Sequence, residues 1–154
     1  MTATDRAALA VQLENLAPTQ YQEFNFASMC ALGDTWIGGN EDGLYELAGD
    51  DDNGTGITAQ VEFLRSDFGL ENQKSILLAQ VSGEGSGGLR LTFKAGENRE
   101  FSVDFVLEKE LQDGVKVYGT RDLVGQYWEL RLENIGGAAF SVDKIDIFPS
   151  VLNY

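Results

Sequence analysis

"YWELRLEN", residues 127–134, decides the fold. Trp128, Leu130 and Leu132 take every second position, and Tyr127, Glu129, Arg131 and Glu133 fill the gaps. A spacing of two puts the apolar set on one face of a strand and the polar set on the other. The segment therefore reads as a half-buried antiparallel strand with one wet face. Trp128 is expected in a core and Tyr127 at the surface.

The same alternation recurs outward in both directions. "ITAQVEF" (57–63) sets Ile57, Ala59, Val61 and Phe63 against Thr58, Gln60 and Glu62. "LRLTFK" (89–94) and "FSVDFVL" (101–107) repeat the pattern, and "FSVDKIDIF" (140–148) supplies another strand. "SILLAQV" (75–81) is apolar on both faces and reads as a more central strand. Between them lie glycine-rich stretches with turn chemistry: "GGNEDG", "GDDDNGTG", "AGENRE", "QDG" and "NIGG". "GEGSGG" (83–88) is expected at a hairpin tip. Pro18 and Pro149 flank the strand-rich body. Roughly ten short strands separated by turns predict an all-β chain, an antiparallel β-sandwich of jelly-roll-like form.

The first segment has a different period. Thr2 and Asp5 match a helix start signal, Leu9, Leu13 and Leu16 follow at spacings of four and three, and Pro18 closes the run. This predicts a short N-terminal helix whose leucine stripe docks on a neighbour or on its own domain. The expected organisation is a helical arm over 1–18, one sandwich over 19–149 and a C-terminal tail over 150–154. Leu9, Leu13 and Leu16, with Tyr127, are the candidate partner-interface residues.

Composition narrows the chemistry. The chain has 154 residues, a length that fits one domain, and carries 11 basic against 25 acidic residues, a net charge of −14. That balance opposes nucleic-acid binding by counterion release and opposes anionic membranes. No apolar run approaches a membrane span, and the start lacks the basic and apolar regions of a secretory signal. There is no histidine, so no Ser-His-Asp or Cys-His nucleophile and no histidine-bearing zinc site arises within the chain. Cys30 is the single cysteine; in the apolar stretch "NFASMCAL" it is expected to be a small buried hydrophobe.

"GDDDNGTGI" (49–57) raises the question of calcium. With Gly54 at position 6 of an EF-hand loop, position 1 is Gly49 and position 12 is Gln60, so the ligands at both ends fail. Asn53-Gly54 instead suits a turn that needs positive φ. The expectation is a turn, with no cofactor. Trp36, Tyr45, Tyr118, Tyr127 and Trp128 are the aromatics available for stacking on sugars, Tyr127 being the best placed at the surface.

Several of these residues form a larger pattern: Gly43-Leu44-Tyr45, Asp67-Phe68-Gly69 with Lys74 soon after, then Gly125-x-Tyr127-Trp128 leading to Asn134, Gly137, Ala138, Phe140, Val142 and Asp143. Across about residues 26 to 148 the chain resembles a β-rich module of tailed-bacteriophage virion proteins. It departs at Asp122, where glycine is usual, at Gln126, where arginine is usual, and at Ala139, where aspartate is common. The resemblance implies a non-enzymatic subunit of a tail, baseplate or neck, located in the virion and assembled in the host cytoplasm. Its partners would be other phage structural proteins and copies of itself, with no nucleic acid and no membrane. The alternative is a carbohydrate-binding module, with or without the assistance of calcium, that recognises a cell-surface glycan.

Overall fold

The computed structural model describes residues 7–11, 13, 18–21, 24–49, 51–52, 54–97, 99–107 and 114–152. All the regular elements among them are strands, and every pairing is antiparallel. The chain divides into two compact units, Met1–Gly49 and Asp50–Tyr154. The boundary expected after residue 18 thus falls at 49/50.

In the first unit, β1 (Ala8–Val11) pairs with β2 (Pro18–Tyr21), Leu9 opposite Gln20 and Val11 opposite Pro18. The helix expected here is absent over these residues. A helix this short is marginal alone, and "ALAV" satisfies its backbone by pairing instead. Pro18 opens an edge strand, where its missing N–H is tolerated. Then β3 (Ser28–Leu32), β4 (Thr35–Asn40) and β5 (Gly43–Glu46) form a meander. The Asn40 side chain accepts the Asp42 and Gly43 N–H groups at 2.9 and 3.2 Å and shapes the β4–β5 turn. Phe26 lies on Gly38 so closely that a Cβ there would sit 2.7 Å from the ring.

This meander is covered only in part: Phe26 packs on Gly38 and meets the Tyr45 ring, their centres 5.7 Å apart. Pairing puts Met29, Ala31, Trp36 and Tyr45 on one face, and Cys30, Leu32, Ile37 and Leu44 on the other. Met29, Trp36, Leu32 and Leu44 are all exposed, Leu44 by 81%. Cys30 is exposed as well, which corrects the expectation that it is buried. Leu32 and Leu44, on the same face of the sheet, are exposed with it.

The second unit holds the hydrophobic core. A small hairpin, β6 (Asp51–Asp52) and β7 (Thr55–Gly56), precedes β8 (Gln60–Ser66), β9 (Lys74–Gly85), β10 (Gly88–Lys94), β11 (Glu100–Val106), β12 (Val115–Tyr118), β13 (Trp128–Asn134) and β14 (Phe140–Val151). One sheet has the order β11-β10-β13-β8 and the other β12-β9-β14. Leu89, Leu91 and Phe93 of β10 and Trp128, Leu130 and Leu132 of β13 meet Ile76, Ala79 and Val81 of β9 and Val117 of β12 in one cluster. Those of β10 and β13 are the inward members of their alternating sets, and the result is a β-sandwich. β9 is central in its sheet, as its two apolar faces suggest.

Two connections differ from expectation. "GEGSGG" is not a hairpin tip: it carries the chain from β9 in one sheet to β10 in the other. It passes against the segment before β14, where Ser86 N–H donates to Ala139 O at 3.0 Å and a Cβ on Gly87 would meet Ala138 Cβ at 2.6 Å. Pro149 does not flank the strands but lies inside β14, at a register shift between Phe148 and Pro149. An edge strand accepts proline at a bulge. Pairing then continues through Ser150 and Val151 into the segment expected to be a tail.

Candidate functional site

The connection from β8 to β9 builds one corner of the sandwich. Asp67 O accepts Leu70 N–H at 3.0 Å, and the two residues between, Phe68 and Gly69, have φ of 53° and 72°. Positive φ at both central positions is the mark of a type I′ turn. Phe68 is the non-glycine residue that bears this strain among those described. Side chains hold it there: Ser66 Oγ accepts Phe68 N–H and Asp67 Oδ1 accepts Gly69 N–H, each at 3.0 Å. The Phe68 ring packs against the core, which offsets the backbone cost.

Lys74 closes this corner from beneath. It is fully buried, and its ammonium donates to Leu70 O at 2.7 Å, Asn72 O at 3.0 Å and Gln126 O at 2.6 Å. Three donors meet three carbonyls, which is what allows a charged group to be buried. Burial lowers the Lys74 pKa from the ordinary lysine value, with Asp67 pulling the other way. The Lys74 backbone exchanges two hydrogen bonds with Gly125, both 3.0 Å, and Gly125 O also accepts Trp128 Nε1–H at 3.1 Å. A Cβ on Gly125 would come 2.9 Å from Ala95 Cβ, so only glycine fits. Trp128 is 1% exposed and Tyr127 41%, as the alternation of β13 predicted.

The end of β13 holds a second fastening. Asn134 Oδ1 accepts Ala59 N–H at 2.8 Å, while Nδ2 donates to Ile57 O at 2.9 Å and to Ala138 O at 3.0 Å. The acidic stretch reads as the turn expected: β6 and β7 form a hairpin, Gly54 has φ of 83°, and Asp51 Oδ1 accepts Gly54 N–H at 2.8 Å. Among the described residues no group of three or more acidic or cysteine side chains is gathered to hold a metal. Of the residues that carried the resemblance, Asp67, Phe68, Gly69, Lys74, Gly125, Trp128 and Asn134 make contacts that hold the fold together in this chain.

Surface features are shallower. The outer face of the four-stranded sheet has a groove of about 380 Å³ lined by Glu62, Leu64, Thr92, Lys94, Glu129 and Arg131. Charges there are neutralised across strands: Lys94–Glu129 at 3.3 Å, and Arg90 with Asp104 in a two-bond fork at 2.7 and 3.0 Å. The Arg90 fork lowers the Asp104 pKa, through the hydrogen bond first. A second basin, of about 340 Å³, lies beside the Lys74 corner and is lined by Arg65, Gln73, Arg99, Gly125, Gln126 and Tyr127, among others. The Arg65 guanidinium sits 4.9 Å from the Tyr127 ring centre.

Of the four residues expected at a partner interface, the three leucines belong to the first unit and Tyr127 to the second. Leu9 is exposed within β1, Leu13 is 87% exposed in a turn, and Leu16 lies outside the described residues. Tyr127 belongs to the basin. Of the other aromatics, Trp36 and Tyr45 share a face of the first unit's meander, and Tyr118 lies exposed on β12. Arg65 and Arg99 were missed. Neither sits in a recognisable motif, and only the folding of β8 and the β10–β11 turn brings them to one basin.

The fold is all-β, with an antiparallel β-sandwich in the second unit. No family model, no curated protein and no solved structure matches the chain.

Proposed function

We propose that this protein is a non-enzymatic structural subunit that works by protein–protein contact, in the virion of a tailed bacteriophage. The observation that carries the contact role is the meander β3–β4–β5. It presents Met29 and Trp36 on one face and Leu32 and Leu44 on the other, all exposed. Apolar side chains exposed on both faces leave part of the sheet's hydrophobic stabilisation unrealised until a neighbour covers them. The virion assignment rests on the pattern from Gly125 to Asp143. In this reading the sandwich is the rigid platform and the first unit supplies the contact surface. Repulsion among acidic neighbours, from a net charge of −14, is offset by the apolar area buried.

Mass spectrometry of gradient-purified particles of the phage that encodes the chain tests this. The chain is expected in fixed proportion to known tail or neck proteins. Its absence from particles, with abundant protein in the lysate, overturns the reading.

A further inference from the structure

We propose that the basin beside the Lys74 corner is a binding site for a small carboxylated ligand of the sugar-acid class. The inference goes beyond the assembly role and does not depend on it. In a chain where acids outnumber bases by 25 to 11, this basin collects two guanidinium groups, Arg65 and Arg99, and no carboxylate among its described lining residues. Arginine forks match the planar carboxylate with paired hydrogen bonds. The long-range field of the protein repels anions, but it is screened within about 8 Å at physiological salt. The two local charges therefore dominate at the site.

The rest of the lining suits a sugar ring. Gln73 and Gln126 offer amides that both donate and accept, as hydroxyl groups require. Tyr127 offers a half-exposed ring and a hydroxyl. Arg65 lies against that ring, which restricts the guanidinium before any ligand arrives. The floor is fixed: Gly125 is bonded twice to the Lys74 backbone, and Gln126 O is held by the Lys74 ammonium. A volume of about 340 Å³ is at the small end of ligand sites, in keeping with one sugar unit. Inorganic phosphate would satisfy the arginines but leave the amides and the ring unused.

Titration of the full-length protein, followed by amide chemical shifts, tests the site with three probes: glucuronate, glucose and inorganic phosphate. Glucuronate is expected to shift residues around 96–99 and 125–127 saturably, and the other two to bind about tenfold more weakly or less. The double variant Arg65→Gln/Arg99→Gln, both exposed positions, is expected to retain the dispersed spectrum of the parent and lose the glucuronate response. The proposal is overturned by no saturable response to glucuronate, by equal binding of phosphate or glucose, or by unchanged binding in the double variant.

Discussion

Ala59 and Asn134 stand 75 positions apart and are joined by two hydrogen bonds: Ala59 N–H donates to Asn134 Oδ1 at 2.8 Å, and Asn134 N–H donates to Ala59 O at 3.1 Å. The side-chain bond ties the approach to β8 onto the end of β13, and the amide's other end reaches Ile57 O and Ala138 O. Asn134→Ala removes three side-chain bonds and leaves part-buried backbone groups unpaired. The expected cost is about 1–3 kcal/mol, read as a lower urea midpoint at unchanged slope. An unmoved midpoint would show that water replaces the amide fully.

Gly136 and Gly137 are adjacent and both have positive φ, 68° and 75°. They differ in space. A Cβ on Gly136 meets nothing within 4 Å, whereas one on Gly137 would lie 2.3 Å from Gly56 Cα. Gly136→Ala is expected to cost about 1 kcal/mol, the left-handed penalty alone. Gly137→Ala adds a backbone collision that forces the β6–β7 hairpin away, a further 1–3 kcal/mol or about that. Equal losses in the two variants would mean that the hairpin moves freely.

Trp128 and Tyr127 test the faces of β13. Trp128→Ala empties a core position and removes the indole bond to Gly125, with an expected cost of about 3–5 kcal/mol. Tyr127→Ala is expected to cost under about 1 kcal/mol, since its ring is half in solvent. Denaturant midpoints that fall together would reverse this assignment.

The faces of β13 were legible because alternation is local: each residue's side follows from its neighbour's. The same holds for β10 and β11, and for the turn at Gly54. What was not legible depended on pairing between distant segments. Whether "GEGSGG" turns back within a sheet or crosses to the other depends on where β9 and β10 find partners. Pro149 reads as a strand breaker until β14 is known to be an edge. Leu9, Leu13 and Leu16 fit a helical period, yet Ala8–Val11 finds a strand partner in Pro18–Tyr21. The basin was illegible for the same reason, since Arg65, Gln73, Arg99 and Tyr127 meet only in three dimensions.

Lys74 gives the fold a pH signature. Burial places its folded-state pKa below the ordinary value of 10.5, while the unfolded chain keeps the ordinary value. Between the two, the unfolded state binds more protons, so stability rises with pH across that window and is lost as pH falls through the folded value. Lys74→Met lacks this titration and leaves Leu70 O, Asn72 O and Gln126 O without their donor. The variant is expected to be less stable at pH 7 by about 1–3 kcal/mol or more. Urea midpoints taken from pH 7 towards 10.5 should show the gap to the parent widening. A constant or narrowing gap would mean that the ammonium suffers no desolvation in the folded state.

The two units predict different fates when separated at Gly49/Asp50. Every buried hydrophobic side chain among the described residues lies between Ile76 and Leu132, within the second unit. Both of its sheets are complete there, and their pairing uses no strand from residues 1–49. Residues 50–154 are therefore expected to fold alone, with a single cooperative melt. Residues 1–49 have a different balance. They carry seven acidic residues and one basic, a net charge of −6, and a meander with exposed apolar side chains on both faces. Chains this short rarely bury enough surface to offset their conformational entropy without a staple or a partner. The isolated segment is expected to show no cooperative transition by circular dichroism. A sharp melt of residues 1–49 alone would mean that the meander needs no neighbour, and with it would go the physical basis for reading its faces as contact surfaces.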